Sequence, residues 1–229
     1  MKISKSAIIL LSGGLDSLVA LGYSKEVLNI DIKLALTFDY GQKSVKIEIE
    51  ASEKICKHYN VKHKVISLDW LKEITKTALV SEENVPQTNF QTKKSALAVW
   101  VPNRNALFLN IAACFCDSFN IDYIIYGANK DEAETFPDNT ELFRKEVSKL
   151  FQTSTMHAPT VLAPLINYNK DDIVKIAVEN SMPLELTRSC YNSGEKNCGK
   201  CESCYHLKKA LITNHCEKYI NELFEENEN

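Results

Sequence analysis

Two groups of residues in this 229-residue chain have types and spacing that can do chemistry. The first is Ser12-Gly13-Gly14-Leu15-Asp16-Ser17, which directly follows an apolar run ending at Leu11. Gly13 and Gly14 have no Cβ, so a turn there can take positive φ and bring bare backbone N–H groups against a ligand. With the positive end of a following helix behind them, those donors make a socket for an anion. Ser12 and Ser17 add hydroxyls, and Asp16 can cap the helix or meet a metal ion. A Gly-Gly pair after a strand is also an ordinary turn, so the pair alone does not decide. The second group is Cys190, Cys198, Cys201 and Cys204, spaced C-x7-C-x2-C-x2-C with Gly194 and Gly199 between them. Four thiolates so placed match a tetrahedral structural zinc site, which leaves no open position for catalysis. His206 can stand in for one cysteine. A nucleic-acid-binding ribbon helped by Lys196, Lys200, Lys208 and Lys209 is the alternative.

The elements that must position these groups alternate in type. Residues 7–11 read as a short buried strand, and from Asp16 the period changes to helical up to Leu28. Strands are expected over 33–38, 64–68 and 123–126, with a last short one at 162–165. Helices are expected over 45–59, with Ile47, Ile49, Ala51, Ile55 and Cys56 inside, over 70–79, from 105 to 119 and apolar nearly all round, from Thr140, over 170–180 and over 205–212. This alternation predicts an α/β fold, a parallel sheet with helices on both faces, followed by a small C-terminal zinc-binding segment. The boundaries expected are 1–184 for the main domain and 185–229 for the cysteine segment and last helix. Ligands of such sheets lie at the carboxyl ends of the strands. That rule brings Phe38, Tyr40 and Gln42, the buried-helix opening at Asn103, Arg104 and Asn105, and Gly127 with the acidic run to Asn139 beside the first group. The polar stretch 81–94, with Pro86, is expected to form a mobile cover or to be disordered. The acidic end from Asn221 is expected to fray.

Composition excludes several classes. A formal charge of −3 argues against a large phosphate-backbone footprint, which favours a small substrate. The apolar run before Gly-Gly is too short for a signal-peptide core, and no stretch approaches membrane-spanning length, so a cytoplasmic protein is expected. Cys56, Cys114, Cys116 and Cys216 stand among apolar neighbours and are expected in the core.

The chain resembles the 7-cyano-7-deazaguanine synthases, the QueC family, from Ala7 to about Ala210. The carriers are the LSGGLDS, YGQK and VPNRN strings, FPD at 136–138, APL at 163–165 and PLELTRSCYNSGEKNCGKCESC at 183–204. The first string also resembles the PP-loop of N-type ATP pyrophosphatases, and no Walker A or dinucleotide fingerprint occurs. The resemblance implies an adenine nucleotide alpha hydrolase-like fold and an ATP-dependent carbon–nitrogen ligase. It implies ATP on Leu11, Ser12, Gly13, Gly14, Leu15, Asp16, Ser17, Phe38, Tyr40 and Gln42, with Mg2+ bridging the phosphates and one structural Zn2+ per chain. The deazaguanine acid is then expected on Asn103, Arg104, Gly127, Asp138 and Arg188, with Asp16, Ser17, Asp138, Arg104 and Lys196 as catalytic residues. Its carboxylate takes the α-phosphoryl group, ammonia gives the amide, and a second adenylation lets the nitrile form. One departure stands out: the family's Tyr-Pro-Asp-Cys is Phe136-Pro137-Asp138-Asn139 here. That leaves open a ligase passing the acyl group to another amine, such as a protein, and a non-catalytic zinc-ribbon module. A homodimer is a further possibility.

Overall fold

The computed structural model describes residues 5–81, 83–85, 87 and 93–225, with the side chains of 93 and 94 excepted. Five strands form one parallel sheet: β1 Ser6–Leu10, β2 Asp31–Asp39, β3 Lys62–Ser67, β4 Tyr123–Ile125 and β5 Thr160–Leu162. Their order is β3-β2-β1-β4-β5. The chain therefore moves outward from β1 in one direction and then in the other. The reversal lies between β1 and β4, where Ile8 stands beside Ile124 and Ile9 beside Ile125. A crevice opens at such a switch point on the carboxyl side of the strands. β-branched residues suit this pleated, doubly covered position, and Ile8, Ile9, Ile124 and Ile125 are fully buried.

The helices are α1 Leu15–Gly22, α2 Val45–Tyr59, α3 Asp69–Ile74, α4 Lys93–Val99, α5 Arg104–Phe119, α6 Lys130–Ala133, α7 Glu141–Ser154, α8 Lys170–Glu179, α9 Glu202–Thr213 and α10 Lys218–Leu223. α1 does not run as one α-helix to Leu28; it widens into a π-turn over Tyr23–Val27. α2 has the expected bounds, but Ile47 and Ile49 are only half-buried while Ala51, Ile55 and Cys56 are inside. α3 stops at Ile74, short of residue 79. α5 is not buried all round: Phe108, Leu109, Ala112, Ala113 and Cys116 face the sheet, whereas Asn110, Cys114 and Phe119 are exposed. Cys114 is thus a surface thiol and not a core residue. Half of the expected cover over 81–94 falls outside the described residues.

Residues up to Glu225 dock where fraying is expected, and the rest of that expectation lies outside the described residues. Phe224 bridges to Asn197, whose N–H donates to the Leu223 carbonyl at 2.9 Å and whose carbonyl accepts from Glu225 N at 3.0 Å. Leu223 and Phe224 are buried there, because the cysteine segment has little apolar interior of its own and takes theirs. No helix among the described residues is long and apolar enough to cross a membrane.

Candidate active site

The turn after β1 divides its two glycines between different constraints. Gly13 has φ +75°, and a Cβ there would lie 2.8 Å from Ala51 Cβ and 2.9 Å from Glu48 O, so the protein itself demands glycine. Gly14 has φ −78° and ψ 168°, an ordinary extended conformation, and serves as N-cap of α1. A Cβ on Gly14 would meet nothing closer than Ser12 Oγ at 3.4 Å, so positive φ is confined to Gly13. The loop hydroxyls hold one another: Ser17 Oγ donates to Gly14 O at 3.0 Å and lies 3.2 Å from Ser12 Oγ.

A cavity of about 240 Å³ opens above this loop. Its far wall comes from the end of β2 and from α5. The Phe38 and Phe108 rings stack at 3.9 Å and 5°. Gln42 donates to Phe38 O at 3.0 Å and Glu48 Oε2 at 2.9 Å and accepts from Tyr40 N at 3.0 Å, so its buried amide fixes the wall. Arg104 Nη1 donates to the Tyr40 hydroxyl at 3.1 Å. Burial works against the Arg104 charge, but Tyr40 and the nearby Asp138 carboxylate outweigh it and hold its pKa above the usual value. Burial raises the Glu48 pKa, against hydrogen bonds from Ser44 and Gln42. Leu11, Ser12, Leu15, Asp16, Ser17 and Gly127 also line the cavity, with Arg188 and Ser189 from the cysteine segment.

At the end of β4, Gly127 lets two backbones meet. A Cβ there would come within 3.0 Å of the Asp16 carbonyl carbon and of Ser17 N. Asp16 is ion-paired with Lys170, the first residue of α8, which also donates to Glu132 at 3.2 Å. The other Asp16 oxygen, Oδ1, is buried without a hydrogen-bond partner among the described residues. Burial raises the Asp16 pKa, Lys170 opposing it. For Glu132 the same burial is outweighed by Lys170, and its pKa falls. A second cavity, of about 100 Å³, adjoins the first and shares Arg104, Glu132, Asn139, Tyr191 and Ser203 with it. Its wall includes Asp138, which is 8% exposed and accepts from Asn139 Nδ2 at 3.1 Å, and the stacked rings of Trp100 and Phe136, 5.9 Å apart. Burial raises the Asp138 pKa and Arg104 lowers it, with burial prevailing.

The four cysteine sulfurs lie within 4.8 Å of one another. Backbone N–H groups of Asn192 and Cys198 point at Cys190 Sγ, at 3.3 and 3.5 Å, and those of Lys200 and Cys201 at Cys198 Sγ, both at 3.4 Å. Converging soft donors already hydrogen-bonded for negative charge fit a thiophilic metal ion. α9 begins at Glu202, three residues before the expected 205, because Cys201 is its N-cap and Cys204 sits in its first turn. His206 is not part of this cluster and lines the second cavity instead.

Of the residues expected at the substrate, Arg188 lines the first cavity, whereas Lys196 and Asn103 line neither. Arg188 is buried with its guanidinium turned into the cysteine segment, on Asn197 Oδ1 at 2.9 Å and on the Gly194 carbonyl. It nevertheless braces the site, since its N–H donates to Gly13 O at 2.7 Å and Leu15 N donates to Ser189 Oγ at 3.4 Å. Lys196 is exposed, donates to Asn221 O at 3.0 Å and lines neither cavity. Asn103 is an exposed N-cap at φ 54° whose side chain makes no cap bond, and it also lines neither cavity. Glu132 belongs to the acidic run that the sequence brings to this edge, whereas Lys170 and Glu48 are not among the expected site residues. For Lys170 a signal existed, since it opens the helix after the last strand, at the same carboxyl edge as the loop.

The sequence matches the family model described as queuosine biosynthesis protein QueC over residues 6–215. It is 47% identical over 216 residues to 7-cyano-7-deazaguanine synthase of Methanosarcina mazei, covering 90% of this chain and 93% of that protein. It is 40% identical over 234 residues to 7-cyano-7-deazaguanine synthase of Bdellovibrio bacteriovorus, covering 99% of this chain and 100% of that protein. Among solved structures, the U34-tRNA thiolase NcsA from Methanococcus maripaludis with its [4Fe-4S] cluster matches at TM-score 0.50 and 18% identity, covering 97% of this chain and 71% of that one. This last likeness is one of fold.

Proposed function

Since the chain belongs to the QueC family, we propose that it converts 7-carboxy-7-deazaguanine, with ATP and ammonia, to 7-cyano-7-deazaguanine in the cytoplasm. The observation that carries this reading is the pairing of the glycine-turn cavity at the sheet's switch point with an adjoining cavity walled by carboxylates. The first suits a nucleotide triphosphate and the second an acid and the amine that replaces its oxygen.

In this reading the loop from Ser12 to Ser17 holds the phosphates, and the wall of Phe38, Tyr40 and Gln42 holds the nucleoside. The substrate carboxylate attacks the α-phosphorus and pyrophosphate leaves on the loop's preorganised donors. Ammonia then displaces AMP to give the amide. The amide oxygen takes a second adenylyl group from ATP with release of pyrophosphate, and loss of AMP and of both amide N–H protons leaves the nitrile. Asp138 is the base for the captured ammonium, and its raised pKa makes it a better proton acceptor than an ordinary carboxylate. Arg104 faces the charge that develops between the two cavities.

Two metals belong to the proposal. The buried, unpartnered Oδ1 of Asp16 suits Mg2+, which when bound would neutralise phosphate charge. The four thiolates suit Zn2+, which would build the segment that braces the loop and do no chemistry. The direct test is chromatography of the nucleotide products with the acid and ammonium present. AMP and pyrophosphate are expected; ADP and orthophosphate would overturn the assignment.

A further inference from the structure

An acid that is to attack phosphorus has to be held beside the phosphate loop. The cavity available for it has Asp131, Glu132, Asp138 and Glu202 in its wall. An anion does not enter such surroundings without a cation to receive it. Among the described lining residues, Arg104 and Lys170 carry the permanent positive charges, and burial lowers the pKa of His206. Arg104 already donates to Tyr40 on the nucleotide side. Arg188 lines the first cavity but not the second and has its Nη groups on Asn197 and Gly194, and Lys196 donates to the tail and lines neither.

Lys170 is differently placed. Its partner Asp16 lines the first cavity, Lys170 itself lines the second, and Glu132 lines both, so the ammonium stands in the partition between phosphate and substrate. Its side chain is only 15% exposed, and its backbone is fixed by a bond to Asp131 Oδ2 at 2.9 Å and by the Asn169–Asp172 capping box. An ammonium has three donors, and the two carboxylates use two. We propose that Lys170 binds the carboxylate of the substrate and holds it toward the α-phosphorus. This deepens the function proposed above and rests on it.

The experiment compares two ligands on the full chain with saturating α,β-methylene ATP: 7-carboxy-7-deazaguanine, and 7-deazaguanine, which lacks the carboxylate. Calorimetric affinities are measured for wild type, K170Q and K170R. The glutamine can still bond Asp16 and Glu132, and the arginine keeps the charge. K170Q is expected to lose about 30-fold in affinity for the acid, the scale of one charged hydrogen bond, and to bind 7-deazaguanine as wild type does. Equal losses for both ligands, or no loss for the acid, would overturn the inference. Should K170Q not fold, K170R decides: a raised KM for the acid with an unchanged KM for ATP supports the role, and the reverse pattern overturns it. Wild-type protein that binds no acid would bring down the proposed function itself, and this inference with it.

Discussion

At the scale of single residues, the two loop glycines separate stability from function. Gly13→Ala puts a Cβ into Ala51 and Glu48 at a left-handed φ, so a loss of about 1–3 kcal/mol is expected, visible as a lower Tm. A Cβ on Gly14 meets only ordinary contacts, with Ser12 Oγ, Arg188 O and Ser189 Oγ at 3.4–3.8 Å, so the Tm of Gly14→Val should stay near wild type while AMP formation disappears. A Gly14 variant that folds and still makes AMP would show that the backbone there does not approach the phosphates, and one that unfolds would show that the fold itself demands glycine. Asp138 gives a prediction in pH. It must be ionised to take a proton, and burial places its pKa above that of a free carboxylate. Amide formation should therefore rise with pH through that raised value, an acid limb above the ordinary Asp range of about 4. Asp138→Asn should abolish this limb and slow amide formation by about 10²–10⁴-fold, with pyrophosphate release on the acid alone largely kept. Single-turnover traces that show the adenylation step falling equally would assign Asp138 a different part.

At the scale of elements, the cysteine segment and the loop form one mechanical unit through Arg188. Removing the metal, or making Cys201→Ser, should release Asn197 and with it the Arg188–Gly13 contact. The expected result is a metal content falling from about one zinc per chain and a raised KM for ATP, read from elemental analysis and initial rates. Phe224→Ala should cost about 3 kcal/mol and speed metal loss to a chelator, since this ring closes the segment. A zinc content unchanged in Cys201→Ser, or a chelation rate unchanged in Phe224→Ala, would contradict the linkage. The cysteine spacing and the strand–turn–helix around the glycines are local signals, legible in the residue order alone. The roles of Arg188 and Lys196 are not local. Each basic residue had a choice of partners, and the choice was made by Asn197 and by a tail whose acidic composition hid the burial of Leu223 and Phe224.

At the scale of the molecule, the switch between β1 and β4 explains why one edge of the sheet collects the site. Alternating periodicity carries the parallel α/β class, and the rule about strand ends draws Tyr40, Arg104 and Asp138 to one edge. Strand order was not legible. It takes the order β3-β2-β1-β4-β5 to bring Lys170, which follows β5, against Asp16, which follows β1, 154 residues away. The central claim, that this edge turns a carboxylate into a nitrile at the expense of two ATP, is tested most directly by one reaction. Purified protein is given ATP, 7-carboxy-7-deazaguanine and increasing ammonium, and the products are weighed by mass spectrometry while AMP is counted. The account predicts 7-cyano-7-deazaguanine with two AMP per nitrile and the amide as a transient. A stable product carrying the deazaguanine mass on a polypeptide, at one AMP each and with no nitrile at any ammonium concentration, would contradict it.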